Sequence, residues 1–320
     1  MAEKTWNEAV AALTGAGSPF EIVEDGALKR FKNVPPTLRQ LFDGARERGE
    51  ETFLVYEDEQ WSFRDAMARV DEIAALLVDR YGVSPGDRVA IASRNYPEWI
   101  CAFAAATSVG GVAVCMNAWW TPDEIAYGLE DSGASVLIAD RERAERAVSV
   151  LPSTTRGVLI RGGDGETPEG FERLEDVLTP GAAMPEAAFG ADSDATILYT
   201  SGTTGRPKGA VSTHGAVLNA LTAFACRAMV NMVMRPPAEP HPYPTSFILV
   251  VPLFHVTGLV PVMLSCFAAG YKLVMMYKWV PERALELIER ERITTFVGVP
   301  TMSWDLLESP EFAQRDTSFF

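Results

Sequence analysis

The amino-acid sequence predicts an α/β fold in which mostly parallel sheets are flanked by helices. Short apolar runs alternate with helix-like segments between residues 86 and 160, and again between residues 247 and 307. Strands and helices that take turns along a chain form crossover units, which build parallel sheets covered on both faces. With 320 residues and 48% hydrophobic content, the chain can also bury a large core.

The N-terminal elements are predicted from caps and periodicity. Residues 1–34 look like a polar leader that wraps the surface. Thr37 is expected to cap a helix with its apolar positions on one face. Residues 52–56 and 60–61 predict a hairpin around an acidic turn, and Ser62 is expected to cap the helix that follows.

From residue 86 onward the elements alternate. The pattern predicts strands at residues 88–92, 112–116, 135–139, 157–160, 247–251, 272–276 and 294–299. It predicts helices at residues 96–108, 122–131, 141–150, 171–178, 214–229, 258–268, 281–290 and 301–307. The second half is therefore expected to be built like the first.

An Ala/Gly/Pro-rich stretch at residues 180–194 is the best candidate for a boundary. We expect a leader at residues 1–34, a first α/β subdomain at residues 35–180 and a second at residues 181–320. Two long uncharged runs, at residues 99–123 and 244–272, could span a bilayer by length. Glycine and proline interrupt both runs, so buried segments of an α/β core explain them better and no transmembrane segment is expected.

The net charge of −15 argues against a nucleic-acid partner, because a phosphate backbone is met by an excess of Lys and Arg. Residues 1–194 carry a net charge of −16 and residues 195–320 a net charge of +1. An anionic nucleotide would be repelled less by the second half. The alternative is that the first half simply carries more solvated helix faces.

Cysteine usage and the N-terminus bear on the compartment. The four cysteines lie in apolar or helical surroundings without Cys-x-x-Cys spacing, at Cys101, Cys115, Cys226 and Cys266. They look like free thiols of a reducing compartment. The N-terminus lacks the pattern of a secretory signal, so a cytoplasmic protein is expected.

A Ser/Thr/Gly-rich loop lies between two predicted strands, with the sequence Tyr199-Thr200-Ser201-Gly202-Thr203-Thr204-Gly205-Arg206-Pro207-Lys208-Gly209. The hydroxyl side chains and backbone N–H groups of this loop supply many hydrogen-bond donors. Its glycines allow an anion to approach the backbone closely, and Lys208 adds a mobile positive charge. The common Gly-x₄-Gly-Lys-Ser/Thr phosphate loop opens a helix, whereas this one is followed by a strand. A flexible linker is the alternative, but linkers rarely carry Pro-Lys-Gly and strands on both sides.

This loop resembles the signature loop of the adenylate-forming superfamily, which includes acyl-CoA synthetases and aryl-CoA ligases. The resemblance implies two stacked mostly parallel sheets, as in the large N-terminal domain of that fold, here incomplete. It also implies that the loop holds the ATP phosphates while a carboxylate attacks the α-phosphate. The expected cofactor-binding residues are Thr200, Ser201, Gly202, Thr203, Thr204, Gly205 and Lys208.

The resemblance extends to the metal and the other substrates. Mg²⁺ would arrive with ATP, and Thr204 is a plausible protein donor to it. CoA is the implied co-substrate, and a carboxylic acid is the implied partner. Among the remaining motifs, His214 is expected to cap or orient a helix. Trp119-Trp120 and Met275-Met276 are expected to be core rather than pocket lining.

The segment Pro252-Leu253-Phe254-His255 ends a buried strand, at the sheet edge where ligands collect in parallel α/β proteins. It resembles the family's Pro-Leu-Phe-His segment, whose histidine lies beside the carboxylate substrate. We therefore expect His255, with Lys208, to serve catalysis by orienting the carboxylate or gating an acyl tunnel. From the residues alone, a core histidine bonded to a carbonyl is the simpler reading.

The resemblance also marks what these residues lack. The family's adenine, magnesium-carboxylate and ribose segments and its small C-terminal domain do not occur before Phe320. We expect a fragment of an acid–CoA ligase for fatty acids that is inactive alone, with room for a homodimer through apolar surface. An acyl-AMP or aryl-CoA ligase, or a non-catalytic domain that binds a nucleotide or a partner, are the alternatives.

Overall fold

The structure, a computed structural model, describes residues 5–26, 28–200, 205–237, 239 and 241–318. The strands are β1 (Ile22–Asp25), β2 (Leu28–Phe31), β3 (Thr52–Tyr56), β4 (Glu59–Ser62), β5 (Arg88–Ala92), β6 (Val112–Cys115), β7 (Val136–Asp140), β8 (Arg156–Ile160), β9 (Phe171–Arg173), β10 (Asp194–Thr200), β11 (Lys208–Thr213), β12 (Ser246–Leu249), β13 (Lys272–Met275) and β14 (Thr295–Phe296).

The helices are α1 (Trp6–Thr14), α2 (Leu38–Ala45), α3 (Phe63–Ala75), α4 (Pro97–Ser108), α5 (Pro122–Ser132), α6 (Arg141–Ala147), α7 (Leu174–Val177), α8 (His214–Met234), α9 (Ser265–Ala269), α10 (Pro281–Glu291) and α11 (Pro300–Glu308). Short 3₁₀ turns lie at Arg46–Arg48 and Phe312–Gln314, and wider π turns at Leu76–Arg80 and Gly258–Leu264.

Two mixed sheets form the body of the protein. The larger has seven strands in the order β11-β10-β6-β5-β7-β8-β9, and the smaller has five in the order β14-β12-β13-β3-β4. Among the described strands of these two sheets, only β10 with β11 and β3 with β4 pair antiparallel. The inner strands β6 and β7 are buried at every residue, as strands covered on both faces are. The prediction of mostly parallel sheets flanked by helices is confirmed.

The chain passes from one sheet to the other and back. Strands β3 and β4, from residues 52–62, complete the smaller sheet, while β10 and β11, from residues 194–213, complete the larger one. Strand pairing therefore draws on both sides of residue 180. The division into a leader, residues 35–180 and residues 181–320 stays a prediction about folding units.

Helix α4 lies at the centre of the core. All of its residues are buried, and it packs against α2 and α3. The main apolar cluster joins α4 to strands of both sheets, with Phe53 from the smaller and Ile91 from the larger. Pro97 suits the first helical turn, where the missing N–H has no partner to lose. Burial of this helix thus fixes the two sheets relative to each other.

Two polar clamps also hold the sheets together. The Asn95 side chain, which follows β5, donates to the Val251 carbonyl at 3.1 Å and accepts from the Leu253 N–H at 3.0 Å. Arg161, which follows β8, donates to Glu59 on β4 at 2.8 Å and to Glu98 on α4 at 2.9 Å. Burial raises the pKa of Glu98, and the Arg161 charge opposes that shift. Both clamps tie loops of the larger sheet to the smaller one.

Several elements differ from the sequence prediction. The leader contains α1 and the β1–β2 hairpin, and α1 packs on Cys226 and Val230 of α8. Residues 171–173 form β9 before a one-turn helix, because their backbone pairs with β8. Strand β14 is only two residues long, since β12 alone pairs with it among the described strands. Pro261 has no N–H to donate, and the predicted helix at residues 258–268 begins as a π turn around it.

The two uncharged runs fold as α4 with β6, and as β12 with the π turn and α9. Among the described residues, one helix, α8, has the length and apolar composition needed to cross a bilayer. Its most apolar window is only 28% buried within the structure.

Candidate functional site

The Ser/Thr/Gly-rich loop connects the antiparallel pair β10 and β11, as predicted. Thr200 lies directly opposite Lys208, and its hydroxyl reaches the Lys208 carbonyl at 3.5 Å. Thr200, Gly205 and Lys208 are exposed, and no described atom lies within 4 Å of where a Cβ on Gly205 would be. Ser201, Gly202, Thr203 and Thr204 lie outside the described residues. The described part of the loop thus faces open space.

Helix α5 braces both arms of this hairpin. The Tyr199 hydroxyl donates to Asp131 at 2.7 Å, and the Tyr127 hydroxyl donates to the Pro207 carbonyl at 3.1 Å. The Arg206 guanidinium lies 5.1 Å from the centroid of the Tyr127 ring. Burial, and then the bond to Asp131, raise the pKa of Tyr199. The entry and exit of the loop are therefore both fixed to one turn of α5.

The packing of Trp120 sets the position of α5 against the hairpin. Its ring meets Tyr199 edge to face at 5.1 Å and is 5% exposed. A Cβ on Gly128 of α5 would lie 2.5 Å from this ring and 2.6 Å from Met116. Since real Cβ atoms do not approach that closely, the ring can rest on the helix only because residue 128 is glycine.

The His255 segment follows β12 at the carboxyl edge of the smaller sheet. The His255 N–H donates to the Pro252 carbonyl at 3.1 Å, which closes a turn. A Cβ on Gly258 would lie 2.3 Å from that same carbonyl oxygen, so only glycine fits there. The Thr257 N–H donates to His255 Nδ1 at 3.2 Å, which places the proton of the neutral ring on Nε2. The exposed ring can then donate a hydrogen bond from Nε2.

The dipeptide Trp119-Trp120 links the two candidate segments. Trp120 contacts Tyr199 at the base of the hairpin, and Trp119 meets Phe254, next to His255, at 5.2 Å. The Asn95 clamp holds the same His255 segment to the end of β5. Because β5, β6 and β10 are parallel neighbours, their carboxyl ends share one edge. The hairpin and His255 therefore flank the same edge of the molecule.

The basic side chains near this edge differ in whether they have an acidic partner. Lys208 forms no ion pair with any described residue, whereas most arginines of the chain do. Arg143, 1% exposed, is paired with Asp140 at 3.1 Å and donates to the Ala118 carbonyl at 2.7 Å. That carbonyl lies just before the tryptophan pair. The buried pair thus supports the edge, while the lysine charge is available to a ligand.

The sequence anticipated some of these residues and missed others. Thr200, Gly205, Lys208 and His255 lie where the motifs implied, but no ligand contact tests their roles, which stay predictions. Trp119 was expected to be core and is 52% exposed, whereas Trp120, Met275 and Met276 are buried. Tyr127, Asp131 and Asn95 were not anticipated, since their partners lie far along the chain.

No group of three or more His, Cys, Asp or Glu side chains in the described part of the chain could hold a metal ion by itself. Thr204, the candidate magnesium donor, lies outside that part. The four cysteines are all buried and free.

Relatives of known activity match most of this chain. It is 30% identical over 299 residues to long-chain-fatty-acid–CoA ligase FadD13 of Mycobacterium tuberculosis, covering 91% of this chain and 54% of that protein. It is 32% identical over 237 residues to a feruloyl-CoA synthase of Amycolatopsis sp., covering 74% and 43%. The chain spans about half the length of the relatives it matches.

Solved structures give the same picture. The N-terminal domain of FACL13 from M. tuberculosis, bound to an inhibitor, has a TM-score of 0.72 and 25% identity over 89% of this chain and 68% of that one. Anthranilate CoA ligase AuaEII, in complex with anthranoyl-AMP, has a TM-score of 0.75 and 26% identity over 89% and 54%. The family model described as AMP-binding enzyme matches residues 41–319. The chain therefore belongs to the AMP-binding enzyme family.

Proposed function

We propose that these residues serve an ATP-dependent acid–CoA ligase that activates a carboxylate, of the fatty-acid type, through an acyl-adenylate. The observation that carries this proposal is the hairpin with its exposed Lys208, which the Trp119-Trp120 pair connects to the His255 segment. The matched relatives support it, because they are a long-chain-fatty-acid–CoA ligase and a feruloyl-CoA synthase. Family membership supports ATP as the nucleotide.

In the proposed reaction, the hairpin amides and Lys208 hold the β- and γ-phosphates of ATP. The carboxylate oxygen attacks the α-phosphorus, the bond to the bridging oxygen breaks, and pyrophosphate leaves with its charge held by the hairpin. The CoA thiolate then attacks the acyl carbon and AMP leaves. Such catalysis rests on positioning and charge stabilisation, because the carboxylate is already a competent nucleophile.

His255 is proposed to orient the acid. Its Nδ1 is occupied by the Thr257 N–H, so Nε2–H is the group left to donate to a carboxylate oxygen. The Asn95 clamp would hold this donor at the sheet edge. In the full-length gene product, His255→Ala is expected to weaken use of the acid, and unchanged adenylation would remove the role.

Mg²⁺ is proposed to enter with ATP, held mainly by phosphate oxygens. Hydroxyl side chains stand before the lysine at positions 200, 201, 203 and 204, and Thr204 is the proposed donor. Hydroxyl oxygens are ligands that magnesium accepts, so the residue types fit. A cytoplasmic location and a homodimer remain parts of the same proposal.

An aryl-CoA ligase is the second candidate. The matches to a feruloyl-CoA synthase and to an anthranilate CoA ligase favour it, at identities similar to those of the fatty-acid ligase. The half-exposed Trp119 beside Phe254 could accept a flat aromatic acid as well as an alkyl chain.

The test compares acids in the full-length gene product. With ATP and Mg²⁺, palmitate is expected to release pyrophosphate and, when CoA is added, to consume its thiol. Release with ferulate but not palmitate would move the assignment to the aryl class. Release without thiol consumption would indicate an acyl-AMP ligase. A protein that neither releases pyrophosphate nor binds ATP would be a non-catalytic partner-binding domain.

A further inference from the structure

Four side chains form a column at the edge where His255 lies. The Arg94 guanidinium lies 4.7 Å from the centroid of the Trp119 ring and 5.4 Å from that of Tyr277. Trp119 in turn meets Phe254 edge to face at 5.2 Å. We call Tyr277, Arg94, Trp119 and Phe254 the edge column. Because Phe254 directly precedes His255, the column ends at the group that is proposed to orient the acid.

The edge column takes its members from both sheets. Arg94 and Trp119 follow β5 and β6 of the larger sheet, whereas Phe254 and Tyr277 follow β12 and β13 of the smaller one. Each side chain comes after the carboxyl end of a different strand, so only the folded edge brings the four together. The edge column therefore joins the two sheets beside the candidate site.

The Arg94 guanidinium forms no ion pair with any described residue. Asp140 accepts the backbone N–H of Arg94 at 3.0 Å, but its carboxylate is paired with the Arg143 guanidinium at 3.1 Å. The Arg94 Nε is buried and has no hydrogen-bond partner in the described part of the chain. Aromatic faces attract a guanidinium, so the Trp119 and Tyr277 rings are the groups that stabilise this charge.

The two ends of the edge column differ in how they are held. The Tyr277 hydroxyl donates to Glu142 at 3.3 Å, and the Tyr277 ring lies 5.7 Å from that of Tyr96. At the other end Trp119 is 52% exposed, and His255 is exposed as well. The edge column is thus anchored at Tyr277 and open to a ligand at Trp119.

We propose that Arg94 is a positioning residue for the acid substrate. Its guanidinium holds the Trp119 ring as the surface on which the acid rests while His255 donates to the carboxylate. This inference rests on the proposed function. Asn95 already fixes the backbone of the His255 segment, and Arg94 adds a fixed ring beside it. A ring that is held before the ligand arrives lowers the ordering cost of binding.

The kinetic test uses the full-length gene product with palmitate or ferulate, whichever releases pyrophosphate. Arg94→Met keeps the length of the side chain and removes its charge. It should raise the KM for the acid about tenfold, which is within the range of a partly buried cation–π contact, and leave kcat and the KM for ATP unchanged. Arg94→Lys keeps the charge but not the flat guanidinium, so its KM for the acid should lie between those of Arg94→Met and the wild type.

The matched control is Arg292→Met. The Arg292 guanidinium lies 4.8 Å from the centroid of the Tyr243 ring, before the start of β12 and away from the candidate site. Loss of this second cation–π contact should leave the KM for the acid at the wild-type value.

A double variant separates positioning from direct binding. Because Arg94 is proposed to act through Trp119, Arg94→Met/Trp119→Ala should raise the KM for the acid no more than Trp119→Ala alone does. Effects of the two substitutions that multiply, or an unchanged KM in Arg94→Met, would overturn the proposal. So would a rise confined to the KM for ATP or for CoA, because Arg94 would then bind a phosphate itself.

A second measurement is independent of the proposed function. The 320-residue chain is labelled with 5-fluorotryptophan, and Trp119→Phe identifies the Trp119 line among the seven tryptophan lines in the fluorine NMR spectrum. This line should move in Arg94→Met and stay in place in Arg292→Met, while the other six lines show that each variant is folded. An unmoved line in Arg94→Met would overturn the proposal. A full-length protein that adenylates no acid would instead refute the proposed function, and a moved line would still support the hold of Arg94 on Trp119.

Discussion

We expect the protein to lose part of its free energy of unfolding in mild acid because of a single side chain, the buried His214. The ring is completely buried against Phe189, with centroids 5.0 Å apart. Its Nδ1 accepts the N–H of Leu38, in the first turn of α2, and its Nε2 has no partner among the described residues. Burial lowers the pKa of His214 from 6.5 to about 4. The positive end of the α2 dipole also opposes a charged ring.

The direction and size of this pH effect follow from the linkage between proton binding and folding. Because the pKa is lower in the folded state, the unfolded state binds the proton first as pH falls. The contribution of the neutral His214 ring to the free energy of unfolding is therefore fully present above pH 6.5. It is lost as the pH falls from about 6.5 to 4. A shift of this size corresponds to about 3 kcal/mol in total, of which about 2 kcal/mol is lost between pH 7.5 and 5.

The assay is urea unfolding at pH 7.5, 6 and 5 for the wild type and His214→Asn. Asparagine keeps an acceptor near the position of Nδ1 but does not titrate, so the variant should lose about 2 kcal/mol less over this range. Only three histidines occur, so their C2–H resonances can be followed individually by NMR. Identical pH dependence of the two proteins, or a His214 midpoint near 6.5, would refute the reasoning.

Two further substitutions test the packing of the candidate site. Gly128→Ala should destabilise the protein by about 1–3 kcal/mol and displace Trp120, because the added methyl has no room; a melting temperature within error of the wild type would contradict this. Asn95→Ala should cost about 2–4 kcal/mol in urea unfolding, because it leaves a buried carbonyl and a buried N–H unpaired; a change below about 0.5 kcal/mol would show that water replaces the clamp.

Much of the fold could be predicted from local patterns. The N-cap residues Thr37 and Ser62, helical periodicity and uniformly apolar strands located most helices and strands within a few residues. Helix α1 could have been found too, since Thr5 and Glu8 form a capping box. The assignment of strands to sheets could not, because β3 and β13 pair across more than two hundred residues.

The residues of the candidate site also differ in whether the sequence alone could identify them. Lys208 and His255 lie in contiguous motifs, so the sequence could single them out. Tyr127 and Asn95 act through partners 80 and 156 residues away, and neither stands in a recognisable pattern. Trp119 was misjudged because its neighbour Trp120 fills the core, which leaves the first ring at the surface.

Isothermal titration of the 320-residue chain with ATP and with inorganic triphosphate tests the central claim most directly. The wild type should bind both, since the hairpin is proposed to hold the phosphates. Lys208→Ala should weaken the affinity for both ligands by about tenfold or more, as expected for the loss of a charged hydrogen bond. The control Lys29→Ala, at an exposed position on β2, should change neither affinity. Equal affinities for wild type and Lys208→Ala, or no binding by the wild type, would contradict the account.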